Sequence, residues 1–372
     1  RAGLLMGVYI VLSREKIWPF FAVIYLFQGI SCSEEIRRMR KAVDPEAFMN
    51  NNELITYKEY PSEEYKVMTD DGYIITINRI PFATQNQRNP VAKPAVFLQH
   101  GLLGDASNWV ANLPNNSLAL MLADAGYDVW MRNSGGNHEF WVFSFDEMAK
   151  FDLPAAINFI VKKTGQEKLY YIDYSQGTTV TLIAFSTVPE LAQKIKLFFA
   201  LAHATAIKYA RSPATKLLYL PEKLLWGLLG KREFLPQTEC LRRLIVPLCS
   251  HRAFARLCRS VFFSVGGYNG NNIDMNRVNA YIAQTAAGMS VQNIVHWSQV
   301  QLILLYWTFI PALLYVFQAT PPLYNVEQMV VPTADAAILL SEIKRLLHHK
   351  MIPEWTRLDF IWGLDAPSCV YN

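Results

Sequence analysis

The sequence predicts an α/β fold in which a largely parallel β-sheet is covered by helices on both faces. Short, continuous apolar runs alternate with longer stretches of helical character along the first 200 of the 372 residues. Strands that are buried on both faces have such uninterrupted runs, whereas a strand with one wet face alternates. The hydrophobic content of 52% allows a large core, and the length fits one large domain that carries an insertion.

The first half of the chain contains most of the predicted strands. A turn signal at Asp70, Asp71 and Gly72 precedes an alternating β-branched run, and this predicts a hairpin over residues 67–80. Buried strands are predicted at 95–99, 127–131, 169–173 and 196–201, with helices at 117–125 and 153–163.

After residue 202 the sequence becomes helical in character, with Arg and Lys interleaved among apolar residues and no clear strand before 328–333. This predicts a helical cap inserted between two strands of the sheet. The expected organisation is a signal peptide region at 1–32, a first core part at 33–202, the cap at 203–299, an atypical apolar segment at 300–319 and a last, truncated core part at 320–372.

Residues 297–326 contain no charged side chain. By length and polarity this stretch could span a membrane, but a buried or cap-lining helix kinked at Pro311 is the favoured interpretation.

The N-terminal region has the pattern of a secretory signal peptide. Arg14 and Lys16 precede an apolar run at 17–27 that is shorter than the roughly 20 residues of a membrane span. The secretory pathway, leading to an extracellular or lysosomal location, is therefore expected. There Asn115, in the sequon with Ser117, would be glycosylated, and one disulfide among three clustered cysteines is expected, with its pairing left open; these are Cys240, Cys249 and Cys258.

The charges argue against a nucleic-acid partner, because the 35 basic and 31 acidic residues are dispersed and give a net charge of only +4. No metal-ligand spacing is present, so no metal or other cofactor is predicted.

Ser175 is the strongest candidate catalytic residue. It lies between a β-branched and aromatic run and a stretch of helical character, as a nucleophile elbow requires. Such a turn holds the serine hydroxyl above the sheet, where it can attack an acyl carbon. Asp173 stands where the Gly-x-Ser-x-Gly pattern has its first glycine, and we expect this carboxylate to strain the turn.

Several longer motifs point to one family. They are the HGLLG run at 100–104, NSGGN at 133–137, the run from Phe143 to Pro154, YSQGTT at 174–179 and the run from Asp359 to Pro367. On these motifs the chain resembles the animal acid lipases, the gastric and lysosomal acid lipase group, and is most similar to the epidermal-type members. The resemblance implies the α/β-hydrolase fold and covers most of residues 42–298 and 320–372.

The resemblance also implies hydrolysis of acylglycerol or sterol esters by a serine, aspartate and histidine triad. Ser175 would be the nucleophile, and the backbone N–H groups of Leu102 and Gln176 would form the oxyanion hole. The partner would be a lipid ester or lipid ligand, with a membrane or lipid-droplet surface as a further partner.

The remaining triad positions depart from the family. Arg357 stands where the resemblance places the histidine, and arginine has no free lone pair with which to accept a proton. His348 and His349 are expected at the end of a helix, away from Ser175. A glycine-rich loop that carries the acid is missing, and Asp335 is a weak substitute, since it is better explained as a helix N-cap.

Two interpretations of these departures remain open. Abrupt replacements, including a basic segment missing after Asn137, are typical of skipped or misassigned coding segments. The alternative is a pseudoenzyme that keeps a lipid-binding scaffold without catalysis.

Overall fold

A six-stranded sheet forms the centre of the molecule in a computed structural model that describes residues 44–83, 92–133, 141–204, 213–234, 239–285, 288–306, 348 and 350–371. The strands are β1 (Glu63–Met68), β2 (Ile74–Ile80), β3 (Ala95–Gln99), β4 (Asp128–Asn133), β5 (Leu169–Tyr174) and β6 (Ile195–Leu201). Their order is β1-β2-β4-β3-β5-β6. Strands β4, β3, β5 and β6 are parallel to one another, and β1 and β2 form an antiparallel hairpin at one edge. The predicted α/β-hydrolase fold with its mostly parallel sheet is thereby confirmed.

Twelve α-helical segments occur within the described residues. They are α1 (Asn51–Tyr57), α2 (Leu118–Asp124), α3 (Phe145–Glu147), α4 (Leu153–Thr164), α5 (Gln176–Thr187), α6 (Pro189–Ala192), α7 (Glu222–Leu229), α8 (Glu239–Ser250), α9 (Arg252–Gly266), α10 (Val278–Thr285), α11 (Val291–Tyr306) and α12 (Asp359–Trp362). A π-helical turn, Met148–Asp152, joins α3 to α4, and 3₁₀ turns lie at Pro45–Phe48, Ala106–Trp109, Pro114–Asn116 and Pro213–Tyr219.

The sheet separates two apolar cores, because successive side chains of a strand point to opposite faces. On β3, Val96 and Leu98 belong to a cluster with α2, α10 and α12. Ala95 and Phe97 belong to a second cluster with α4 and α5. All five residues of β3 are buried, which explains why the strand has a continuous apolar run in the sequence.

The strands and helices predicted between 95 and 201 match the observed ones within two residues at each end, whereas the hairpin predicted from Val67 begins four residues earlier, at Glu63. The hairpin pairs Val67 with Ile75 and Met68 with Ile74, around the predicted turn. A two-stranded sheet of β7 (Glu233–Phe234) and β8 (Met289–Ser290) is not predicted from the sequence, since strands of two residues have no readable periodicity. The strand predicted at 328–333 lies outside the described residues.

Helix α11 covers the beginning of the 300–319 segment, as far as Tyr306, and the rest of that segment lies outside the described residues. None of the helices that the structure describes is long and apolar enough to cross a membrane. The signal peptide region also lies outside these residues.

A disulfide between Cys249 and Cys258 joins α8 to α9. Of the pairings that the sequence left open, this is the one that forms. Cys369 is a free, half-buried thiol.

Candidate active site

Ser175 lies at the sharp turn between β5 and α5. Its backbone has φ 55° and ψ −118°, in a region that residues with a side chain rarely adopt. The turn is fixed on both sides: the Ser175 N–H donates to the carbonyl of Leu201 at 3.0 Å, and its carbonyl accepts from Thr178 Oγ1 at 2.6 Å. This is the strand, strained serine and helix arrangement of a nucleophile elbow.

The loop after β3 packs directly against this turn. A Cβ atom at Gly101 would lie 2.7 Å from Cβ of Ser175 and 2.9 Å from the carbonyl oxygen of Tyr174, so no side chain fits there. On the other side of the turn, a Cβ atom at Gly177 would lie 3.0 Å from the carbonyl oxygen of His100. The glycines at 101 and 177 therefore permit the approach of two backbone segments around Ser175.

The two residues predicted for the oxyanion hole flank this contact. Gln176 is the first residue of α5, where the backbone N–H groups have no partner within the helix and carry the positive end of its dipole. Leu102 follows Gly101, the glycine in contact with Ser175. The structure thus brings Leu102, Ser175 and Gln176 together.

The side chain of Gln176 is fixed by hydrogen bonds from helix α11. Its Oε1 accepts two hydrogen bonds from α11, one from Asn293 Nδ2 at 2.9 Å and one from Trp297 Nε1 at 2.7 Å. Its Nε2 group lies 3.7 Å from the sulfur of Met148. All four side chains are buried. Sequence reasoning missed Asn293 and Trp297, because no local pattern relates a residue to a partner more than 100 positions away.

The beginning of α3 is attached to the same helix. Asn293 Oδ1 accepts a hydrogen bond from the backbone N–H of Phe145 at 3.0 Å. His296 places Nδ1 2.9 Å from Ser144 Oγ, and its ring stacks on Phe145 with 4.1 Å between centroids. Helix α11 therefore contacts both α5, the elbow helix that begins after Ser175, and the segment that precedes α4.

Position 357 also lies beside the elbow. The hydroxyl of Tyr174, the residue before Ser175, donates to the backbone carbonyl of Arg357 at 2.9 Å. The Arg357 N–H donates to the carbonyl of Gly266 at 3.2 Å. Burial lowers the pKa of the Arg357 guanidinium, but a guanidinium is not deprotonated in proteins and offers no lone pair to Ser175.

The segment around Arg357 is anchored by a buried carboxylate. Asp359 accepts from Asn272 Nδ2 at 2.8 Å through Oδ1 and from Thr356 Oγ1 at 2.7 Å through Oδ2. These bonds fix the chain on both sides of position 357, and so the location of Arg357 is set by the fold.

Comparisons with known proteins agree with this geometry. Residues 51–113 match the family model of a partial alpha/beta-hydrolase lipase region, and residues 94–319 match that of the alpha/beta hydrolase fold. Human lipase member M is 50% identical over 395 aligned positions, which cover 98% of this chain and 93% of that protein. The chain belongs to the acid lipase family of α/β hydrolases.

Two further members of the acid lipase family cover most of the chain. Human lysosomal acid lipase/cholesteryl ester hydrolase is 49% identical over 89% of this chain and 91% of its own length. Human gastric triacylglycerol lipase is 45% identical over 88% of this chain and 90% of its own length. The alignment with lipase member M is longer than the 372 residues present here, so parts of that relative have no counterpart in this chain.

Of the histidines and the acid that the sequence offers as substitutes, His348 is the one within the described residues. His348 is exposed, and His349 and Asp335 lie outside the described residues. His100, in the loop beside the elbow, is buried, and burial together with Arg132 lowers its pKa to about 3, which makes it a poor proton acceptor at neutral pH.

Asn115, the predicted glycosylation site, is exposed in the turn Pro114–Asn116, so this position is accessible for attachment of a glycan. Within the described residues no three His, Cys, Asp or Glu side chains are grouped to bind a metal.

Asp173 is fully buried at the end of β5, and burial raises the pKa of its carboxyl group well above its ordinary value.

Proposed function

We propose that this acid lipase family member is a serine ester hydrolase of lipid catabolism that acts on acylglycerols or sterol esters through Ser175. The observation that carries the proposal is the backbone of Ser175, which is held at a positive φ between β5 and α5 by bonds to Leu201 and Thr178. A strained residue of this kind is kept where the surrounding structure enforces it, and such sites are commonly functional.

In the proposed reaction the Ser175 hydroxyl oxygen attacks the ester carbonyl carbon. The carbonyl oxygen becomes an oxyanion, and the N–H groups of Leu102 and Gln176 stabilise it, assisted by the N-terminus of α5. The bond to the alcohol oxygen then breaks, and the leaving alcohol takes up, by way of solvent, the proton that Ser175 has lost. Water hydrolyses the serine ester, which releases the fatty acid and restores the Ser175 hydroxyl group. The substrate class is supported by the names of two relatives, a cholesteryl ester hydrolase and a triacylglycerol lipase.

The step of this reaction that the sequence supports least is the removal of the proton from the Ser175 hydroxyl group. Arg357 occupies the position at which the family resemblance expects the base, and the acid is not assigned, with Asp335 as a weak candidate from the sequence. Loss of a triad member costs on the order of 10⁴–10⁶ in turnover, while about 10³-fold acceleration over water survives from the oxyanion hole and from binding. The chain as written is therefore expected to hydrolyse esters slowly.

A lipid surface is the proposed setting of the reaction. The predicted cap, 203–299, contains α7 to α10 and the first part of α11, and α9 exposes Phe254 and Leu257 beside the exposed Arg256. A basic helix with an exposed apolar side is suited to a membrane or lipid-droplet surface. The proposed location is the secretory pathway, extracellular or lysosomal, and the Cys249–Cys258 disulfide and the exposed Asn115 support it.

A fluorophosphonate probe tests the nucleophile directly, because it labels an activated serine without requiring turnover. We expect labelling of the wild type at Ser175, no labelling of Ser175→Ala, and slow release of a p-nitrophenyl ester that Ser175→Ala abolishes. Ser260→Ala is the matched control, since Ser260 is an exposed serine on α9 and its loss should change neither readout. A folded wild type that stays unlabelled would overturn the proposal.

The second candidate is a lipid-binding pseudoenzyme, and the presence of Arg357 beside Tyr174 favours it. It predicts saturable binding of a fluorescent fatty-acid ester together with no hydrolysis and no labelling of Ser175. Titration without saturation would exclude this candidate.

A further inference from the structure

Three buried oxygen atoms below the elbow have no hydrogen-bond partner within the described part of the chain. They are Oδ1 and Oδ2 of Asp173 and Oε1 of Gln99. Both side chains are at most 2% exposed. Buried acceptors are nearly always hydrogen-bonded, because an unsatisfied one loses its hydration without compensation, so three of them at one place call for an explanation.

The two side chains are neighbours on the same face of the sheet. Gln99 and Asp173 are directly paired in the parallel ladder between β3 and β5, and paired residues project to the same side. Both also meet Gly177 of α5: a Cβ atom there would lie 3.1 Å from Cγ of Gln99 and 3.2 Å from Cβ of Asp173. The carboxyl and amide groups therefore share one pocket under α5.

Asp173 forms no ion pair among the described residues. Thr181 on α5 approaches it, but the Thr181 hydroxyl makes its hydrogen bonds with Tyr171 Oη and the Gly177 carbonyl, at 3.0 Å each. Tyr171, on the same strand, is the titratable group whose pKa the Asp173 charge affects, and His100 follows Gln99 in the chain. Arg132 on β4 affects the pKa values of both Tyr171 and His100, and its charge is paired with Asp152 at 3.0 Å. Burial keeps Tyr171 and His100 uncharged by raising the pKa of the first and lowering the pKa of the second.

We propose that Asp173 is a positioning residue of the elbow: its carboxyl group is protonated and donates its hydrogen bond to Oε1 of Gln99. The proton then lies between one carboxyl oxygen of Asp173 and Oε1 of Gln99, so neither of these two atoms is left without a partner. If Asp173 were ionised, its carboxylate would instead face Gln99 Oε1, which is also an acceptor. The raised pKa of the Asp173 carboxyl group agrees with this assignment.

The bond connects both sides of the candidate site. Gln99 Nε2 donates to the carbonyl of His100 at 3.2 Å, and His100 begins the loop whose Gly101 touches Ser175. The chain of contacts thus runs from Asp173, two residues before Ser175, through Gln99 to the loop that carries Leu102. This acid–amide pair concerns the geometry of the elbow and does not depend on ester hydrolysis.

The proposal predicts how stability changes with pH. The folded-state pKa of Asp173 is raised above the ordinary value of about 3.9 for an unfolded chain. The contribution of Asp173 to stability is therefore complete below about pH 4 and is lost as pH rises toward the folded-state pKa. Over that interval the unfolding equilibrium constant of the wild type should rise up to about tenfold per pH unit relative to a variant that cannot ionise there.

The experiment compares wild type, Asp173→Asn and Gln99→Met by urea unfolding between pH 4 and 8. Asp173→Asn keeps a donor for Gln99 and cannot titrate, so the ratio of the wild-type to the Asp173→Asn unfolding constant should increase steadily with pH. Gln99→Met removes the acceptor and keeps the acid, so it should keep the wild-type pH trend while being less stable throughout. Parallel profiles for wild type and Asp173→Asn would overturn the proposal.

Infrared spectroscopy at about pH 7.5 gives a second readout that does not need a folded Asp173→Asn. The wild type should show the carbonyl band of a protonated carboxylic acid, and Gln99→Met should shift this band to higher frequency because the hydrogen bond is lost. Absence of the band in the wild type, or a band unchanged in Gln99→Met, would refute the acid–amide pair.

Discussion

The indole nitrogen of Trp297 donates a hydrogen bond of 2.7 Å to the side-chain oxygen of Gln176. Trp297 belongs to α11, and Gln176 is the residue whose backbone N–H is proposed to stabilise the oxyanion. The second donor to the same oxygen, Asn293, comes from the same helix. Helix α11 therefore fixes the first residue of the elbow helix from a distance of more than 100 residues in sequence.

Trp297→Phe should slow the reaction of Ser175 with a fluorophosphonate. The substitution keeps an aromatic ring in the core and removes one of the two donors to Gln176 Oε1, at a cost of about 1 kcal/mol, which corresponds to a rate about fivefold lower. Labelling kinetics under pseudo-first-order conditions would measure it. Trp226→Phe is the matched control, since Trp226 Nε1 makes an exposed bond to Glu222 that has no contact with the elbow. Equal rates for the two variants would contradict the role of Trp297.

Gly101→Ala should destabilise the protein and disturb the elbow. The added methyl group would lie 2.7 Å from Cβ of Ser175 and 2.9 Å from a backbone oxygen, so the backbone itself must move. Overpacking of this kind typically costs about 1–3 kcal/mol. Urea unfolding and probe labelling should both show the loss.

Gly227→Ala provides the opposite expectation for the same chemical change. Gly227 lies inside α7, and a Cβ atom there would have no neighbour within 4 Å. Alanine is favoured over glycine in helices by up to about 1 kcal/mol, so this variant should be slightly more stable and should label normally. A Gly101→Ala variant as stable as Gly227→Ala would show that the loop can yield.

The Cys249–Cys258 disulfide should stabilise the helical region by about 2–3 kcal/mol. The bridge closes a short loop with a sequence separation of 9, and the chain-entropy relation gives this order of magnitude. Replacement of both cysteines by serine should lower the free energy of unfolding by that amount, while Cys369→Ser, at a half-buried free thiol, should change it much less. Similar losses in both variants would argue against a stabilising role for the bridge.

The strands could be predicted because their burial is visible in the sequence. Val96, Phe97 and Leu98 are buried on opposite faces, and this leaves a continuous apolar run that needs no tertiary information. The elbow was equally visible, since the residues that form it are contiguous. The cysteine pairing was not, because three cysteines within 19 residues allow several bridges and only the packing of α8 against α9 selects one.

The contacts that orient the candidate site could not be predicted in the same way. Tyr174 and Arg357 are 183 residues apart, and Asn293 and Trp297 reach Gln176 across more than 100. The clearest example of a contact that the sequence does not predict is that of Asp173. The sequence shows an acid in place of a glycine and suggests strain in the turn, but it does not identify the neighbour of this acid. Only the register of β3 with β5 reveals that Gln99 is its neighbour.

Arg357→His tests whether a base at this position is what the chain lacks. The backbone at 357 accepts the hydrogen bond of Tyr174, so the substitution introduces an imidazole beside the elbow without changing this contact. General-base catalysis contributes about 10²–10⁴-fold, and we expect the lower end because the acid that would orient the imidazole is not assigned. The rate of hydrolysis of a p-nitrophenyl ester should increase about 10²-fold and should rise with pH as the imidazole loses its proton.

Arg357→Gln is the control: it removes the same charge and supplies no base, so its rate of hydrolysis should remain that of the wild type. If the two variants hydrolyse the ester equally slowly, a base at 357 is insufficient and the missing acid loop limits the reaction.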